Sequence, residues 1–127
     1  MTIQVAPKPF HVLAKPIGPI CNLDCEYCFY LEKENLYPDT RSFKMSDDVL
    51  EEFTRQYITN HPHNTREINF AWQGGEPTLM GVDFFRRALM YQKKYARPGL
   101  HFLNSIQTNG TRLDDDWGKF LKENDFL

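Results

Sequence analysis

The chain has 127 residues, enough for one domain or part of one, and its 41% hydrophobic and 14% aromatic content is typical of a folded core rather than of disorder. Its net charge of −2 lacks the basic excess of a nucleic-acid-binding protein. No run reaches the roughly 18 apolar residues of a membrane span, and Met1 to Phe10 lacks the apolar core of a signal peptide. We therefore expect a cytoplasmic protein that binds neither membranes nor nucleic acid.

The first predicted element is a short strand, His11 to Lys15, closed by Pro16 and Gly18. Cys21 to Tyr30 follow as a turn-rich loop that becomes helical near its end. The polar stretch Glu32 to Lys44 is interpreted as an excursion from the regular pattern.

The first helix is predicted to begin after Ser46, which is an N-cap residue followed by two aspartates in the first turn, where they favour the positive end of the helix dipole. His61 and Pro62 end it. Its apolar residues recur at helical spacing and are Val49, Leu50, Phe53, Tyr57 and Ile58.

The second strand shows period-2 alternation with one apolar and one mixed face. These faces carry Ile68, Phe70 and Trp72, and Asn69, Ala71 and Gln73. Gly74 and Gly75 stop the strand. If Trp72 packs on helices, Gln73 points the other way, into a barrel lumen at the carboxyl end of the strand, where barrel sites form.

The remaining chain repeats this order. Asp83 to Tyr95 is predicted as the second helix, Leu100 to Thr108 as the third strand, and Asp114 to Asp116 as the start of a third helix. Pro98–Gly99 and Asn109–Gly110 mark the turns. The predicted buried sides of the two helices are Phe84, Phe85, Ala88, Leu89 and Tyr95, and Leu113, Trp117, Phe120 and Leu121.

Alternating strands and helices predict an α/β fold with a parallel sheet and right-handed crossovers. The strand ends near Gln73 and Asn109 lie one βα unit apart, close to the ~30 residues per unit of a (βα) barrel. Three units cannot close a barrel, and an open parallel sheet is normally covered on both faces. We therefore interpret residues 1–127 as the N-terminal part of a partial (βα) barrel, with a small three-stranded domain as the alternative.

Cys21, Cys25 and Cys28 are the three cysteines of the chain. In a cytoplasmic protein they indicate metal ligands rather than disulfides, and thiolates suit iron–sulfur clusters and zinc. A structural zinc site needs four ligands, whereas a cubane held by three cysteines keeps one iron open to an outside ligand. The alternative is a Cys3His zinc site whose fourth ligand is His11, His61, His63 or His101.

Two motifs resemble those of radical S-adenosylmethionine (SAM) enzymes. Cys21 to Cys28 matches their CxxxCxxC signature, with the aromatic Tyr27 before the last cysteine. Gly74 to Pro77 matches their second motif, Gly-Gly-Glu-Pro, at the end of a predicted strand. Each motif follows a predicted strand, and the two together are highly specific.

Within that superfamily, four stretches look like the anaerobic sulfatase-maturating enzymes. They are Ala14 to Pro16, Cys28 to Lys33, Trp72 to Leu79 and Gln107 to Thr111. Related peptide-modifying enzymes share parts of these stretches.

The resemblance implies a [4Fe–4S] cluster on the three cysteines and SAM bound at the open iron. It further implies that SAM is cleaved to a 5′-deoxyadenosyl radical, which abstracts hydrogen from a cysteine or serine of a sulfatase and leads to formylglycine. The implied partners are that sulfatase polypeptide and a reduced flavodoxin or ferredoxin-type electron donor.

The resemblance also implies roles for other residues. Gln73 and Tyr30 are expected to be catalytic, near the reacting side chain, with core packing as their alternative role. Glu76 either accepts from the SAM amine or braces its loop, and Pro77 biases it toward an extended conformation. The implied cofactor contacts are Tyr27, Gly74, Gly75, Glu76, Pro77, Gln107 and Asn109. Because the two glycines lack a Cβ, a backbone can approach a ligand closely there.

Family members also have further strands, which carry more SAM contacts and the catalytic base, and a C-terminal region with auxiliary clusters. Residues 1–127 contain neither, so we expect this chain alone to be inactive on a sulfatase peptide while still holding a labile cluster. The alternatives are a small iron–sulfur or zinc module without SAM chemistry, and an inactive fragment that self-associates through an exposed apolar sheet face.

Overall fold

The computed structural model describes residues 5–18, 44–111 and 113–126. The predictions for Cys21 to Tyr30, and for Glu32 to Lys44 except its last residue, lie outside these ranges. The three cysteines, Tyr27 and Tyr30 are therefore among the residues that are not described.

Strands and helices alternate in the predicted order. They are β1 (Val12–Ala14), α1 (Asp47–Thr59), β2 (Glu67–Trp72), α2 (Val82–Lys94), β3 (His101–Ile106) and α3 (Asp115–Glu123). A 3₁₀ turn, Pro77–Met80, lies between β2 and α2, and the sequence pattern did not indicate it. Within the described ranges, the helices are too short or too polar to cross a bilayer.

The three strands form one parallel sheet in the order β1–β2–β3, which confirms the α/β prediction. Phe70 of β2 pairs with Val12 of β1 on one side and with Asn104 of β3 on the other. Because parallel strands run the same way, the ends of all three strands meet at one edge of the sheet. The segments that follow these ends carry the predicted site residues.

The core lies between the helices and the face of the sheet that carries Ile68, Phe70 and Trp72, all of them buried. The Trp72 ring lies 5.9 Å from Phe84 and 5.5 Å from Phe85 of α2, in both cases edge to face. Such aromatic pairs are worth ~0.5–1.5 kcal/mol beyond the area that they bury. This packing fixes the end of β2 and hence the position of the loop that follows it.

Between the sheet and α2, three buried polar side chains form a hydrogen-bond network. The Trp72 indole N–H donates to Asn104 Oδ1 at 3.1 Å, and the side-chain amides of Asn104 and Gln92 donate to each other at 2.9 and 3.0 Å. Buried polar groups are stable in a core when their hydrogen bonds are complete. The network ties α2 to the two strands that lead into the candidate site.

The predicted cap Ser46 is confirmed, and Asp114, predicted as the start of the third helix, is its cap. The Ser46 side chain accepts from the Val49 amide at 3.2 Å at the start of α1. At the start of α3, Asp114 accepts from the Trp117 amide at 2.9 Å.

Two apolar residues of the predicted helical patterns are exposed. Val49 of α1 is 53% exposed, whereas Thr54 of the same helix is buried and donates its hydroxyl to the Leu50 carbonyl at 2.8 Å. Leu113 is 41% exposed because it precedes the cap of α3 and so does not share the helix face.

Candidate cofactor site

Gln73 and Gln107 follow directly after the paired ends of β2 and β3. The Gln73 amide donates to the Ala14 carbonyl at 2.8 Å, and the Gln107 amide donates to the Trp72 carbonyl at 2.9 Å. These bonds extend the ladder by one residue, so alternation places both side chains on the face opposite Trp72. Gln73 is half-buried and Gln107 is exposed. The structure thus brings two predicted site residues to neighbouring positions.

The Gly74–Gly75 loop packs against the turn that follows β1. The Gly18 amide donates to the Lys15 carbonyl at 3.0 Å, and the Gly18 carbonyl accepts from the Gly75 amide at 2.8 Å. Gly74 has a φ of +104°, and a Cβ there would lie 2.8 Å from the Gly18 carbonyl oxygen. The close backbone approach that the glycines permit is therefore made, in part, by the chain itself.

The carboxylate of Glu76 is fully buried at the boundary between the β2 and β3 ends. It accepts from the hydroxyl and amide of Thr78, the latter at 3.0 Å. It also accepts from the Thr108 hydroxyl at 2.8–2.9 Å and from the Asn109 amide at 2.7 Å. Of the two roles considered for Glu76, this geometry is that of a brace.

Pro77 opens the 3₁₀ turn directly after Glu76. Glu76 has φ −134° and ψ 99°, which confirms the extended conformation expected before a proline. Proline is favoured at a first helical position because its missing N–H would have no partner there. The chain thus passes from the motif into α2 through a rigid turn.

Asn109 and Gly110 form the turn after β3. The Asn109 side-chain oxygen accepts from the Thr111 amide at 3.0 Å and from its hydroxyl at 2.8 Å. Gly110 has a φ of +79°, which suits a glycine in a turn. The turn interpretation is therefore confirmed, and the exposed Asn109 lies beside the Glu76 brace.

Sequence reasoning missed Thr78 and Thr108. A buried carboxylate needs hydrogen-bond donors, and both threonines stand close to the two motif stretches. The sequence alone did not indicate these donors, because the burial of Glu76 is known only from the structure.

The turn after β1 precedes the cysteine motif in sequence. Gly18 comes three residues before Cys21, and its carbonyl accepts from the Gly75 amide. The last described residue before the cysteine motif therefore contacts the Gly-Gly-Glu-Pro loop.

The four histidines precede or begin strands, whereas the Gly-Gly-Glu-Pro loop follows one. His11 precedes β1, His61 and His63 lie between α1 and β2, and His101 is the first residue of β3. The ring nitrogens of His61 lie 2.6 Å from the Tyr57 carbonyl oxygen and 3.1 Å from that of Phe10. A zinc site that uses one of these histidines stays a prediction.

The fold and the site together define the beginning of a (βα)-barrel core, with a glycine-rich loop at the carboxyl edge of its parallel sheet. A family model described as the Radical SAM superfamily matches residues 16–127. The chain therefore belongs to the radical SAM superfamily.

Two kinds of sulfatase-maturating enzyme are similar to the chain. The serine-type anaerobic sulfatase-maturating enzyme of Klebsiella pneumoniae is 49% identical over 122 residues, covering 96% of the chain and 30% of that enzyme. The cysteine-type enzyme of Clostridium perfringens is 42% identical over 123 residues, covering 94% of the chain and 31% of that enzyme. The chain thus spans about 30% of the length of these relatives.

Solved structures agree with this similarity. The structure described as native anSMEcpe with bound AdoMet has a TM-score of 0.75 and 41% identity, covering 91% of this chain and 30% of that chain. Its counterpart with bound AdoMet and the Cp18Cys peptide has a TM-score of 0.78 and covers 94% of this chain and 30% of that chain. The predicted partial barrel is confirmed by these neighbours.

Proposed function

We propose that this chain binds a [4Fe–4S] cluster through Cys21, Cys25 and Cys28 and binds SAM at the carboxyl edge of its sheet. In this proposal it is the N-terminal part of the core of a radical SAM oxidoreductase that acts in sulfatase maturation. The observation that supports the proposal is the hydrogen bond between Gly18 and Gly75, which joins the turn that precedes the cysteines in sequence to the Gly-Gly-Glu-Pro motif.

The residues present fit such a cluster. Three thiolates are soft ligands suited to iron–sulfur clusters, and they leave one iron open for an outside ligand. In sequence, the first of them follows Gly18 by three residues, and Gly18 contacts the glycine motif. When bound, the cluster and SAM supply one-electron reductive chemistry and a hydrogen-abstracting radical, which side chains cannot supply.

The protein residues position the cofactor and restrict its surroundings. Gly74 and Gly75 present backbone at the edge of the sheet, and Glu76 and Pro77 hold that backbone in place. Gln107 and Asn109 contribute from the end of β3, and Tyr27 contributes from within the cysteine motif. We assign Gln73 to the side that meets the reacting residue, because the strand alternation turns it away from Trp72. We assign Tyr30 to the same side on the family resemblance.

The proposed substrate is a cysteine or serine of a sulfatase polypeptide, and the proposed product is formylglycine. The relatives that act on such proteins include both serine-type and cysteine-type enzymes. A reduced flavodoxin or ferredoxin is the proposed electron donor. Because the chain spans about 30% of those relatives, we propose that the remaining barrel strands and the auxiliary clusters are needed for turnover.

The test is anaerobic reconstitution with iron and sulfide, followed by electron paramagnetic resonance (EPR) of the reduced chain with and without SAM. The proposal predicts a [4Fe–4S]⁺ signal whose shape changes when SAM is added. Cys25→Ala should abolish the signal, while the matched His101→Ala variant should keep it. A signal that ignores SAM would indicate a simple cluster carrier, and stoichiometric zinc without iron would overturn the proposal.

A further inference from the structure

The end of β3 contacts the Gly-Gly-Glu-Pro loop through the buried carboxylate of Glu76. The hydroxyl of Thr108 donates to this carboxylate at 2.8–2.9 Å and accepts from the Gly110 amide at 3.1 Å. Since the hydroxyl both donates and accepts, its orientation is fixed. A buried acceptor that loses its donor is left unsatisfied at a cost, so Thr108 is a strong link between β3 and the loop.

The acceptor capacity of the Glu76 carboxylate is used by protein donors. An ionised carboxylate offers about four lone-pair sites. Among the described residues, the amide and hydroxyl of Thr78, the hydroxyl of Thr108 and the amide of Asn109 point to it. The carboxylate is therefore occupied as a structural brace rather than presented to a ligand.

The same loop is held on its other side by β1. The Gly75 amide donates to the Gly18 carbonyl, and Gly74 lies so close to that oxygen that a Cβ does not fit. The loop is thus fixed between two strand ends, with Thr108 on one side and Gly18 on the other.

We infer that Thr108 is a positioning residue for SAM: it holds Glu76, and through it the Gly74–Gly75 backbone, in the geometry that the cofactor meets. The SAM part of this inference rests on the proposed function. Thr108 acts through Glu76 and needs no contact with the cofactor.

The first test is hydrogen–deuterium exchange of the chain without cluster or SAM. Thr108→Val removes the hydroxyl at similar volume, and Thr108→Ser keeps it. Thr65→Val is the matched control, because its hydroxyl is buried without a hydrogen-bond partner within the described residues. The amides of Gly75, Thr78 and Asn109 should exchange at least about tenfold faster in Thr108→Val and within about twofold of the parent in the other two variants.

Unchanged exchange in a folded Thr108→Val variant would overturn the inference. If that variant does not fold, Glu76→Gln is the second variant, since one carboxylate oxygen becomes an NH2 group that donates and cannot accept. Faster exchange at Thr78 or Asn109 in Glu76→Gln supports the brace, and parent-like exchange at both overturns it.

The second test measures SAM affinity of the reconstituted chain by equilibrium dialysis and EPR. Thr108→Val should weaken SAM binding about tenfold at equal iron content, and Thr108→Ser should restore it. Equal affinity in the parent and Thr108→Val contradicts the inference and leaves the proposed function intact. A parent chain that holds the cluster but ignores SAM contradicts the proposed function, and the exchange result then decides whether Thr108 positions the loop.

Discussion

The carbonyl oxygen of Gly18 accepts a hydrogen bond from the amide of Gly75 at 2.8 Å. This contact joins the turn that leads to the cysteines with the glycine loop that follows β2. A turn that precedes the cysteine motif in sequence is thereby held against the Gly-Gly-Glu-Pro loop. The contact depends on Gly74, whose missing Cβ leaves room for the Gly18 oxygen.

Replacing Gly74 with alanine should therefore disrupt the contact between the turn after β1 and the glycine loop. Its φ of +104° is strained for alanine, and the new Cβ would lie 2.8 Å from the Gly18 oxygen. The strain alone costs about 1–3 kcal/mol, and the clash adds to it. We expect Gly74→Ala to lose the SAM-dependent change in the EPR spectrum and to expose the Gly75 amide to exchange.

Gly81→Ala is the matched control for this variant. Gly81 also has a positive φ, of +84°, but a Cβ there meets nothing within 4 Å. It should lower the free energy of unfolding by a similar strain of about 1–3 kcal/mol while the SAM response stays intact. A Gly74→Ala chain that responds to SAM as Gly81→Ala does would show that the Gly18 contact is not required.

In the buried network between the sheet and α2, substitutions of Asn104 and Gln92 should be strongly coupled in their effect on the free energy of unfolding. Asn104→Leu leaves the Trp72 indole N–H and the Gln92 amide without partners, and each unsatisfied group costs ~1–3 kcal/mol. Gln92→Leu likewise leaves the Asn104 amide with an unpaired hydrogen. In urea unfolding, the double variant should lose clearly less than the sum of the two single losses. Additive losses would mean that the two amides do not act as a pair.

The free energy of unfolding should fall at alkaline pH because the Tyr91 hydroxyl ionises. Its hydroxyl donates to the Asp47 carboxylate at 2.6 Å, and this bond, with burial, raises the pKa of Tyr91 from 10.0 to about 12. Above pH 10 the unfolded chain therefore ionises first and binds fewer protons than the folded chain. The contribution of Tyr91 to the free energy of unfolding should be fully present below pH 10. It should decline between pH 10 and about 12.

Tyr91→Phe tests this assignment in the chain without cluster. The variant should show a shallower decline of the unfolding free energy with pH, measured by urea unfolding at successive pH values. Some slope should remain, because the pKa values of Tyr57 and Tyr95 are also raised, chiefly by burial and by the bond to Glu51, respectively. An unaltered slope in Tyr91→Phe would place the alkaline transition elsewhere.

The cap of α1 gives a simpler expectation. Ser46→Ala removes the side-chain acceptor for the Val49 amide and should destabilise the fold by about 1 kcal/mol. Ser46→Asp keeps an acceptor at the same position and should stay near the parent in thermal unfolding. Equal losses in both variants would show that the cap bond contributes little.

Local patterns in the sequence predicted the order of elements, the parallel α/β fold and the strand ends that carry the site. The alternation of β2 and the caps Ser46 and Asp114 are short-range signals, because backbone geometry sets periods of two and 3.6 residues and leaves orphan N–H groups at helix starts. The extended conformation of Glu76 likewise follows from the proline after it. The roles of the three cysteines and of the other predicted catalytic and cofactor-binding residues remain predictions.

Tertiary structure alone decided what the motif residues contact. The donors that surround Glu76 come partly from the end of β3, and the atom that excludes a Cβ at Gly74 comes from the turn after β1. The packing of α1 against the sheet likewise left Val49 exposed and buried Thr54. Such contacts join segments that are distant in the chain or depend on how a helix is rotated against the sheet. Periodicity identifies an apolar face, but the strand register and the packing of the core determine which atoms meet.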